Sequence, residues 1–241
     1  FLDYNQLTGS LPASFNNLTA LESLVIEGNQ LSGPLPDLSS LTNLKSIFFA
    51  DNLFSGSLPN WFGSLSSLQS LFLRNNQFTG TIPDFGSLPS LKNIDISDNQ
   101  LSGSIPASLS SLPNLEDLRL DGNALSGAIP AEIGDISSLR YINLASNQLA
   151  GEIPTSLMNL TNLMGYASHI GWNSLYTDDQ ALRDFLTSIQ YGWENTQTIA
   201  PTGLSAGEET HDSVTLTWTP IPYQAESGGY RVYYSTTPGS G

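Results

Sequence analysis

The chain has 241 residues, of which 22 are acidic and 7 are basic, so its formal net charge at pH 7 is −15. This charge argues against nucleic acid as a partner, because the phosphate backbone would repel the protein. The sequence has no cysteine, which excludes disulfide bonds and thiol catalysis. It also has no apolar run near the roughly 20 residues that a membrane-spanning helix requires.

A five-residue phrase, N-x-[LF]-x-G, occurs seven times, starting near the first residue. Successive copies are 24, 23, 24, 23, 24 and 24 residues apart. A fixed period of this size predicts a solenoid, in which each repeat is one turn that packs on its two neighbours. The copies begin at Asn5, Asn29, Asn52, Asn76, Asn99, Asn123 and Asn147.

Apolar residues alternate before each complete copy in the pattern L-x-x-[LI]-x-[LIF], as in Leu21, Leu24 and Ile26. The alternation predicts a short strand with one face in the core, and strands of successive turns stack into a parallel sheet. After each phrase come an apolar residue and a proline, which fixes φ and stiffens the far side of the turn. Later apolar residues fill the core from that side, namely Phe15, Leu38, Phe62, Phe85, Leu109, Ile133 and Leu157.

The seven asparagines are interpreted as a structural ladder. A side-chain amide both donates and accepts hydrogen bonds. It can therefore satisfy main-chain groups that a sharp turn would otherwise bury without partners. The glycine four residues later permits a backbone conformation that a Cβ would block.

The complete unit, LxxLxxLxLxxNxLxGxIPxxLxxL, resembles the plant-type leucine-rich repeat of receptor ectodomains and some bacterial surface proteins, over residues 1 to about 165. This resemblance implies an α/β repeat solenoid, right-handed, with a parallel β-sheet on its concave face; we assign it to residues 1–170. Plant receptor ectodomains usually carry disulfide-bonded caps, so the lack of cysteine favours a bacterial surface or secreted type. Leu2 takes the place of Ile26 in the unit, so we expect the chain to be a fragment.

Residues 171–193 are predicted to form a helical C-terminal cap, because the expected asparagine near 171 is replaced by Gly171. Thr177 and Gln180 have the spacing of a capping box at the start of a helix. One apolar stripe follows at helical spacing, formed by Leu182, Phe185, Leu186 and Ile189, and Gly192 is expected to end the helix. Aromatic residues near the end of a solenoid usually cover its core, as expected here for Trp172, Tyr176 and Trp193.

Residues 194–200 are polar and read as a linker, and residues 201–241 change to the two-residue period of strands. Their pattern, P-x-x-L, then V-x-L-x-W-x-P around Trp218, then Y-x-V-Y-Y around Val232, resembles the first three strands of a fibronectin type III domain. A complete sandwich has about 100 residues. We therefore expect an incomplete domain, present as a loose hairpin.

No catalytic or metal-binding constellation is visible, so the sequence predicts a protein that is not an enzyme and has no cofactor. His169 and His211 are the only histidines, and neither lies in a triad-like or zinc-like pattern. The acidic pairs Asp95/Asp98 and Glu116/Asp117 suit glycoside hydrolysis by residue type. We interpret them instead as solvated residues on an open sheet face with no pocket.

The outward-facing residues of the strands are the predicted ligand site on the concave face. Their central column runs from apolar residues to polar ones halfway along the repeats. Phe48 and Phe72 stand on adjacent strands beside Lys45 and Arg74, and exposed aromatics with arginine are typical of interface anchors. The candidate ligand-binding residues are Val25, Lys45, Phe48, Phe72, Arg74, Asp95, Arg119, Tyr141 and Asn143.

The sequence favours a non-enzymatic protein- or peptide-binding module of an extracellular, adhesion-type protein, expected to be monomeric. One alternative is an ice- or glycan-binding surface on a hydroxyl column that Ala150 interrupts, formed by Thr8, Ser32, Ser55, Thr79, Ser102 and Ser126. Another is a spacer without a ligand. Asn17 and Asn159 begin N-x-T sequons, but both lie in the repeat's own phrase N-L-T-x-L, so their use stays open.

Overall fold

The computed structural model describes residues 2–85, 88–165, 168–197, 202–209 and 214–219. The chain divides into two compact units, Phe1–Ile199 and Ala200–Gly241. In the part of the chain that the structure describes, no helix has both the length and the apolar character needed to cross a membrane.

A six-stranded parallel sheet in the first unit is built from one short strand per turn, as the alternating apolar pattern predicts. The inward side chains of these strands, such as Leu24 and Ile47, are buried. Successive strands in the sheet are successive turns of the chain, so the sheet runs the length of the repeats. Its strands are β2 Ser23–Val25, β4 Ser46–Phe48, β6 Ser70–Phe72, β8 Asn93–Asp95, β10 Asp117–Arg119 and β12 Tyr141–Asn143.

A second parallel sheet has eight strands, of which the first seven are formed by the recurring phrase itself. We did not predict this sheet, because the phrase is too short to show a period. Its apolar residue, for example Leu31 or Phe54, points into the core, and its glycine, at or next to the end of the strand, has positive φ. The strands are β1 Thr8–Gly9, β3 Gln30–Gly33, β5 Leu53–Ser57, β7 Gln77–Gly80, β9 Gln100–Gly103, β11 Ala124–Gly127, β13 Gln148–Glu152 and β14 Ser174–Tyr176.

Short 3₁₀ helices complete most turns after the repeat's proline. Their apolar residues, such as Phe62 and Leu109, are buried and close the core from the side away from the six-stranded sheet. The shorter turn that contains Leu38 has no 3₁₀ helix in its described residues, yet Leu38 is buried as predicted. The helices are Ala13–Asn17, Asn60–Ser64, Ala107–Ser111, Ala131–Asp135 and Thr155–Asn159, with a further one at Trp193–Thr196.

The repeat geometry continues past the predicted boundary at residue 170. Strand β14 pairs in parallel with β13, and the asparagine of this turn is Asn173. Its Oδ1 accepts from the Leu149 N–H at 3.1 Å. One turn later the side chain of Gln197 takes the same role, since its Oε1 accepts from the Leu175 N–H at 3.1 Å.

The capping helix α1 spans Gln180–Ile189 and buries Leu182, Leu186 and Ile189. The predicted N-cap at Thr177 is wrong, because the N-cap is Asp179, whose Oδ1 accepts from the Leu182 N–H at 2.9 Å. Gly192 does not end the helix either; its positive φ precedes the last 3₁₀ helix.

In the second unit, β15 Thr202–Glu209 and β16 Val214–Thr219 form an antiparallel pair. The hydroxyls of Ser205 and Thr217 lie 2.8 Å apart across this pair. The third predicted strand, around Val232, lies outside the described residues.

Candidate functional site

The outer face of the six-stranded sheet carries straight columns of side chains, because all its strands pair in the same parallel register. The central column, as predicted, aligns Val25, Phe48, Phe72, Asp95, Arg119 and Asn143. A parallel column contains Tyr141, which pairs with Asp117 of the preceding turn. The register therefore brings the predicted site residues onto one surface, which we call the sheet face.

An aromatic pair marks the first half of the sheet face. The rings of Phe48 and Phe72 are stacked, with centroids 4.9 Å apart and planes 6° from parallel. Both side chains are half-buried, as is Val25 beside them. Stacked rings of this kind are stabilising beyond their area alone and still present an apolar surface to a ligand.

Ion pairs border the aromatic pair. Lys45 Nζ lies 2.8 Å from Glu22 Oε2, and Arg74 Nη2 lies 3.1 Å from Asp51 Oδ2. These pairs join neighbouring turns on exposed positions, where such contacts contribute about 0–1 kcal/mol. The basic side chains are therefore available to a ligand at a small energetic cost.

Asp95 begins the polar half of the sheet face, and its environment differs from our interpretation. The prediction of a solvated carboxylate is wrong for Asp95, which is 5% exposed. Its Oδ1 accepts from the Ser97 N–H at 3.1 Å and from the Ser97 hydroxyl at 2.6 Å. The acidic side chain of Asp95 thus folds back onto its own strand.

Arg119 forms a bidentate ion pair with Asp117, with Nε 3.0 Å from Oδ1 and Nη2 2.9 Å from Oδ2. This hydrogen bonding raises the pKa of the Arg119 guanidinium. Glu116 likewise pairs with Arg140, whose Nε lies 3.5 Å from Oε2. The second acidic pair that we considered for glycoside hydrolysis is therefore engaged in ion pairs.

Asp121, two residues after Arg119, is a partly buried carboxylate on the sheet face. Burial, together with the charges of Asp95 and Asp98, raises the pKa of Asp121 to about 6. Its Oδ1 is buried and has no hydrogen-bond partner among the described residues. Asp121 is not among the candidate ligand-binding residues that the sequence predicts, since nothing in the sequence pattern reveals its burial. Within the described ranges, no three His, Cys, Asp or Glu side chains are grouped to hold a metal.

The last strand of the sheet face is β12, which carries Tyr141 and Asn143. The Asn143 Oδ1 accepts from the Ala145 N–H at 3.2 Å, and the Tyr141 hydroxyl donates to the Met164 sulfur at 2.6 Å. His169 continues the central column through a bridge to Asn143, whereas His211 lies outside the described residues.

Trp172 is a surface aromatic that we assigned to the core. Trp193 is buried as expected, but Trp172 is 60% exposed. The reason is its place directly before Asn173, where each turn has a residue with positive φ; that of Trp172 is 53°. Recognising Asn173 as a ladder residue would have revealed this exposure.

The asparagine ladder runs along the inner edge of the sheet face. Asn99 shows its pattern: Oδ1 accepts from the N–H of Phe78, in the preceding turn, at 3.0 Å. Its Nδ2 lies 3.1 Å from the Leu73 carbonyl oxygen of that turn, and 3.2 Å and 3.0 Å from those of Ile96 and Ser97 in its own. Similar bonds are made by Asn29, Asn52, Asn76, Asn123 and Asn147, while the Asn5 amide bonds carbonyls of its own turn.

The hydroxyl column of the alternative hypothesis lies in the eight-stranded sheet, on β1, β3, β5, β7, β9 and β11. The Ser32 and Ser102 hydroxyls make long hydrogen bonds, of 3.5 and 3.4 Å, to the carbonyl oxygens of Gly9 and Gly80. Part of the column is thus turned toward the backbone, which weakens it as a binding surface.

Family models of the leucine-rich repeat match the chain in its repeat region. One model matches residues 84–125, and a second matches residues 43–65, 67–88 and 138–160. The matches fall on the turns that carry the sheet face and the ladder.

Among curated proteins, the chain is similar to an inactive leucine-rich repeat receptor-like serine/threonine-protein kinase of Arabidopsis thaliana. The two are 48% identical over 54 residues, which make up 22% of this chain and 8% of the relative. The chain therefore spans a small part of that protein.

Solved structures of plant receptors resemble the fold. The plant peptide hormone receptor RGFR1, in complex with RGF2, has a TM-score of 0.69 and 40% identity over 71% of this chain and 27% of its own. Pollen Receptor Kinase 3 has a TM-score of 0.50 and 38% identity over 57% of this chain and 72% of its own.

Proposed function

Since this chain belongs to the leucine-rich-repeat proteins, we propose that it is a non-enzymatic module that binds a protein or peptide on its sheet face. The observation that carries the proposal is the stacked, half-buried pair Phe48 and Phe72. Aromatic side chains beside arginine are frequent energetic centres of interfaces. Arg74 and Lys45 border the rings on neighbouring columns.

The polar half of the central column extends the proposed site. Asp95, Arg119 and Asn143 follow Phe72 at the spacing of adjacent strands, about 4.8 Å. An extended ligand that lies across the strands would place apolar groups on the rings and polar groups on Arg119 and Asn143, since the Asp95 carboxylate is buried against Ser97. RGFR1, a plant peptide hormone receptor, is solved in complex with RGF2, which supports a peptide as the ligand class.

The test is selection of peptides from a random displayed library on the immobilised chain. We expect selected peptides to lose at least ten-fold in affinity for the Phe48→Ala/Phe72→Ala variant. The matched control is Leu18→Ala/Leu53→Ala, which removes two exposed apolar side chains elsewhere and should bind as the parent does. Peptides that bind both variants equally would contradict the proposal, provided that both variants keep the parent's circular dichroism.

We further propose an extracellular setting, in a surface or secreted protein of adhesion type. The likeness to a plant peptide hormone receptor supports the setting, while the adhesion role and the bacterial origin stay predictions. Protease treatment of intact producing cells, followed by detection of the repeat region, tests the location. An epitope that survives until the cells are lysed would contradict it.

Residues 201–241 are proposed to begin a fibronectin type III domain. The antiparallel pair β15–β16 supports this, although a single antiparallel pair is common to many β folds. A structure of the natural protein with its following residues tests the proposal: a seven-strand sandwich is expected, and any other sheet topology would contradict it.

A further inference from the structure

The two N-x-T sequons occupy the same place in two different turns. Asn17 and Asn159 each follow the repeat's proline by five residues, and each is the last residue of a 3₁₀ helix. Both are exposed, on the side of the core away from the sheet face. The described turns between them that have a 3₁₀ helix carry Ser64, Ser111 and Asp135 at this place.

The side-chain amides of Asn17 and Asn159 form no hydrogen bond with any described residue. Other asparagines on the same side of the core are used to join turns. The Nδ2 atoms of Asn43, Asn114 and Asn162 donate to the carbonyl oxygens of the preceding turn at 2.9, 2.8 and 2.8 Å. These three asparagines are not in sequons, and the two sequon amides differ from them in that the stacking of turns does not use them.

The threonines of the sequons are accessible as well. Thr19 and Thr161 are exposed, and within the described part of the chain neither hydroxyl makes a hydrogen bond. In Thr19 it is the carbonyl oxygen that accepts from Asn43. Both requirements of an acceptor sequon, a free amide and a free hydroxyl, are therefore met in the folded chain.

We propose that Asn17 and Asn159 are acceptors for N-linked oligosaccharide in a secretory pathway that contains an oligosaccharyltransferase. The donor is a lipid-diphosphate-linked oligosaccharide. The Asn Nδ2 attacks the anomeric carbon and an N–C bond forms. The bond from that carbon to the diphosphate oxygen breaks, and the lipid diphosphate leaves with the bonding electrons. Nδ2 loses one proton to a base of the transferase.

Glycans at these positions leave the sheet face open. The modified asparagines lie beyond the core from Phe48 and Phe72, at the first and seventh repeats. The folded chain has room for them because both residues border solvent and neither amide holds a turn in place. The side with the 3₁₀ helices is thereby shielded at both ends.

The test expresses the chain behind a secretion signal in eukaryotic cells, with a fused peptide that carries a glycosylated sequon of its own as an internal control. We expect two increments in mass, beyond that of the control peptide, that an amidase specific for N-glycans removes. Asn17→Gln or Thr19→Ala should remove one increment, and Asn159→Gln or Thr161→Ala the other. The matched control Asn43→Gln should keep both.

Two results would overturn the proposal. One is a secreted chain whose control peptide is glycosylated but which carries no increment of its own. The other is an increment that remains in the Asn17→Gln/Asn159→Gln variant. A melting experiment on unglycosylated protein checks the structural reasoning: both sequon variants should melt with the parent, whereas Asn162→Gln should melt lower. Equal losses in all three would show that the sequon amides support the fold, which also argues against acceptance.

Discussion

Each ladder asparagine satisfies backbone groups of two turns at once. In Asn52, Oδ1 accepts from the Leu31 N–H at 3.0 Å, and Nδ2 reaches the Ile26 carbonyl oxygen of the preceding turn at 3.0 Å. Buried backbone groups without partners are costly, and no shorter or apolar side chain could supply both a donor and an acceptor here. The residue's frequency in the sequence therefore follows from turn geometry and not from ligand binding.

Replacing Asn99 with leucine should destabilise the repeats. The change leaves the Phe78 N–H without its partner, while the Leu73 carbonyl oxygen loses one of two bonds and keeps the one from Asn76 Nδ2. We expect the free energy of unfolding to fall by about 1–3 kcal/mol for each buried group left unpaired. Urea denaturation measures the loss, and Gln100→Leu, at an exposed neighbour, is the control. A larger loss for Gln100→Leu than for Asn99→Leu would refute the structural role.

Asp121 should make the fold less stable as pH rises through its titration range. Burial raises its folded pKa from 3.8 to about 6, so between these values the folded state binds more protons than the unfolded state. Stability then decreases with pH over this window, and the penalty is complete above about pH 6. Asp121→Asn should remove this component, which is measured as the difference between the two stability–pH profiles. Parallel profiles from pH 3.5 to 7 would show that Asp121 titrates normally.

At the scale of elements, the six strands and their register could be predicted from the sequence. The alternation around Leu24 and Ile47 identifies inward residues, and the asparagine period aligns each turn with the next. The eight-stranded sheet was missed because a phrase such as Gln100–Gly103 is too short to show strand periodicity. Its pairing comes from the stacking of turns, which local sequence does not contain.

The candidate site was predictable in position but not in detail. The pleat places Phe72 and Asp95 on the same face, and their alignment is confirmed by the register. The pleat does not reveal that the Asp95 side chain folds back onto Ser97 or that burial raises the pKa of Asp121. These properties depend on which neighbouring side chains fill the space, and that is settled only by packing.

The capping helix depends on its N-cap. Asp179 accepts from the Leu182 N–H, so Asp179→Ala should lower the free energy of unfolding by about 0.5–2 kcal/mol. Asp178→Ala is the matched control, since it removes a charge from the same segment without removing the cap. Thermal melting followed by circular dichroism distinguishes them. Equal effects of both variants would mean that charge, and not the specific hydrogen bond, stabilises the helix.

At the scale of the whole molecule, local turns are coupled only through their neighbours. Every strand of the six-stranded sheet pairs with strands of adjacent turns, as expected for a solenoid. Three ion pairs follow the same logic and join adjacent turns, namely Lys45–Glu22, Arg74–Asp51 and Arg140–Glu116. The pair Arg119–Asp117 lies within one strand. The stabilisation from such pairs is opposed by the mutual repulsion of the acidic residues, which are in excess in a chain with net charge −15.

These two electrostatic effects respond to salt in opposite directions. Salt weakens ion pairs, but at partly exposed positions each contributes only about 0–1 kcal/mol. It also screens the repulsion among 22 acidic residues that face 7 basic ones, and this repulsion acts over many pairs at once. The Debye length falls from about 30 Å at 0.01 M to about 8 Å at 0.15 M, so most of the repulsion is removed in that range.

We therefore expect the melting temperature to rise between 0.01 and 0.15 M sodium chloride. Chloride is suited to this test because strongly excluded salts such as sulfate also stabilise proteins by favouring burial of surface. An uncharged solute at equal osmolality is the control and should have a smaller effect. Glu132→Gln, which removes an exposed acid outside the observed ion pairs, should flatten the salt dependence slightly. A melting temperature that falls with salt would show that cross-turn ion pairs such as Lys45–Glu22 outweigh the repulsion.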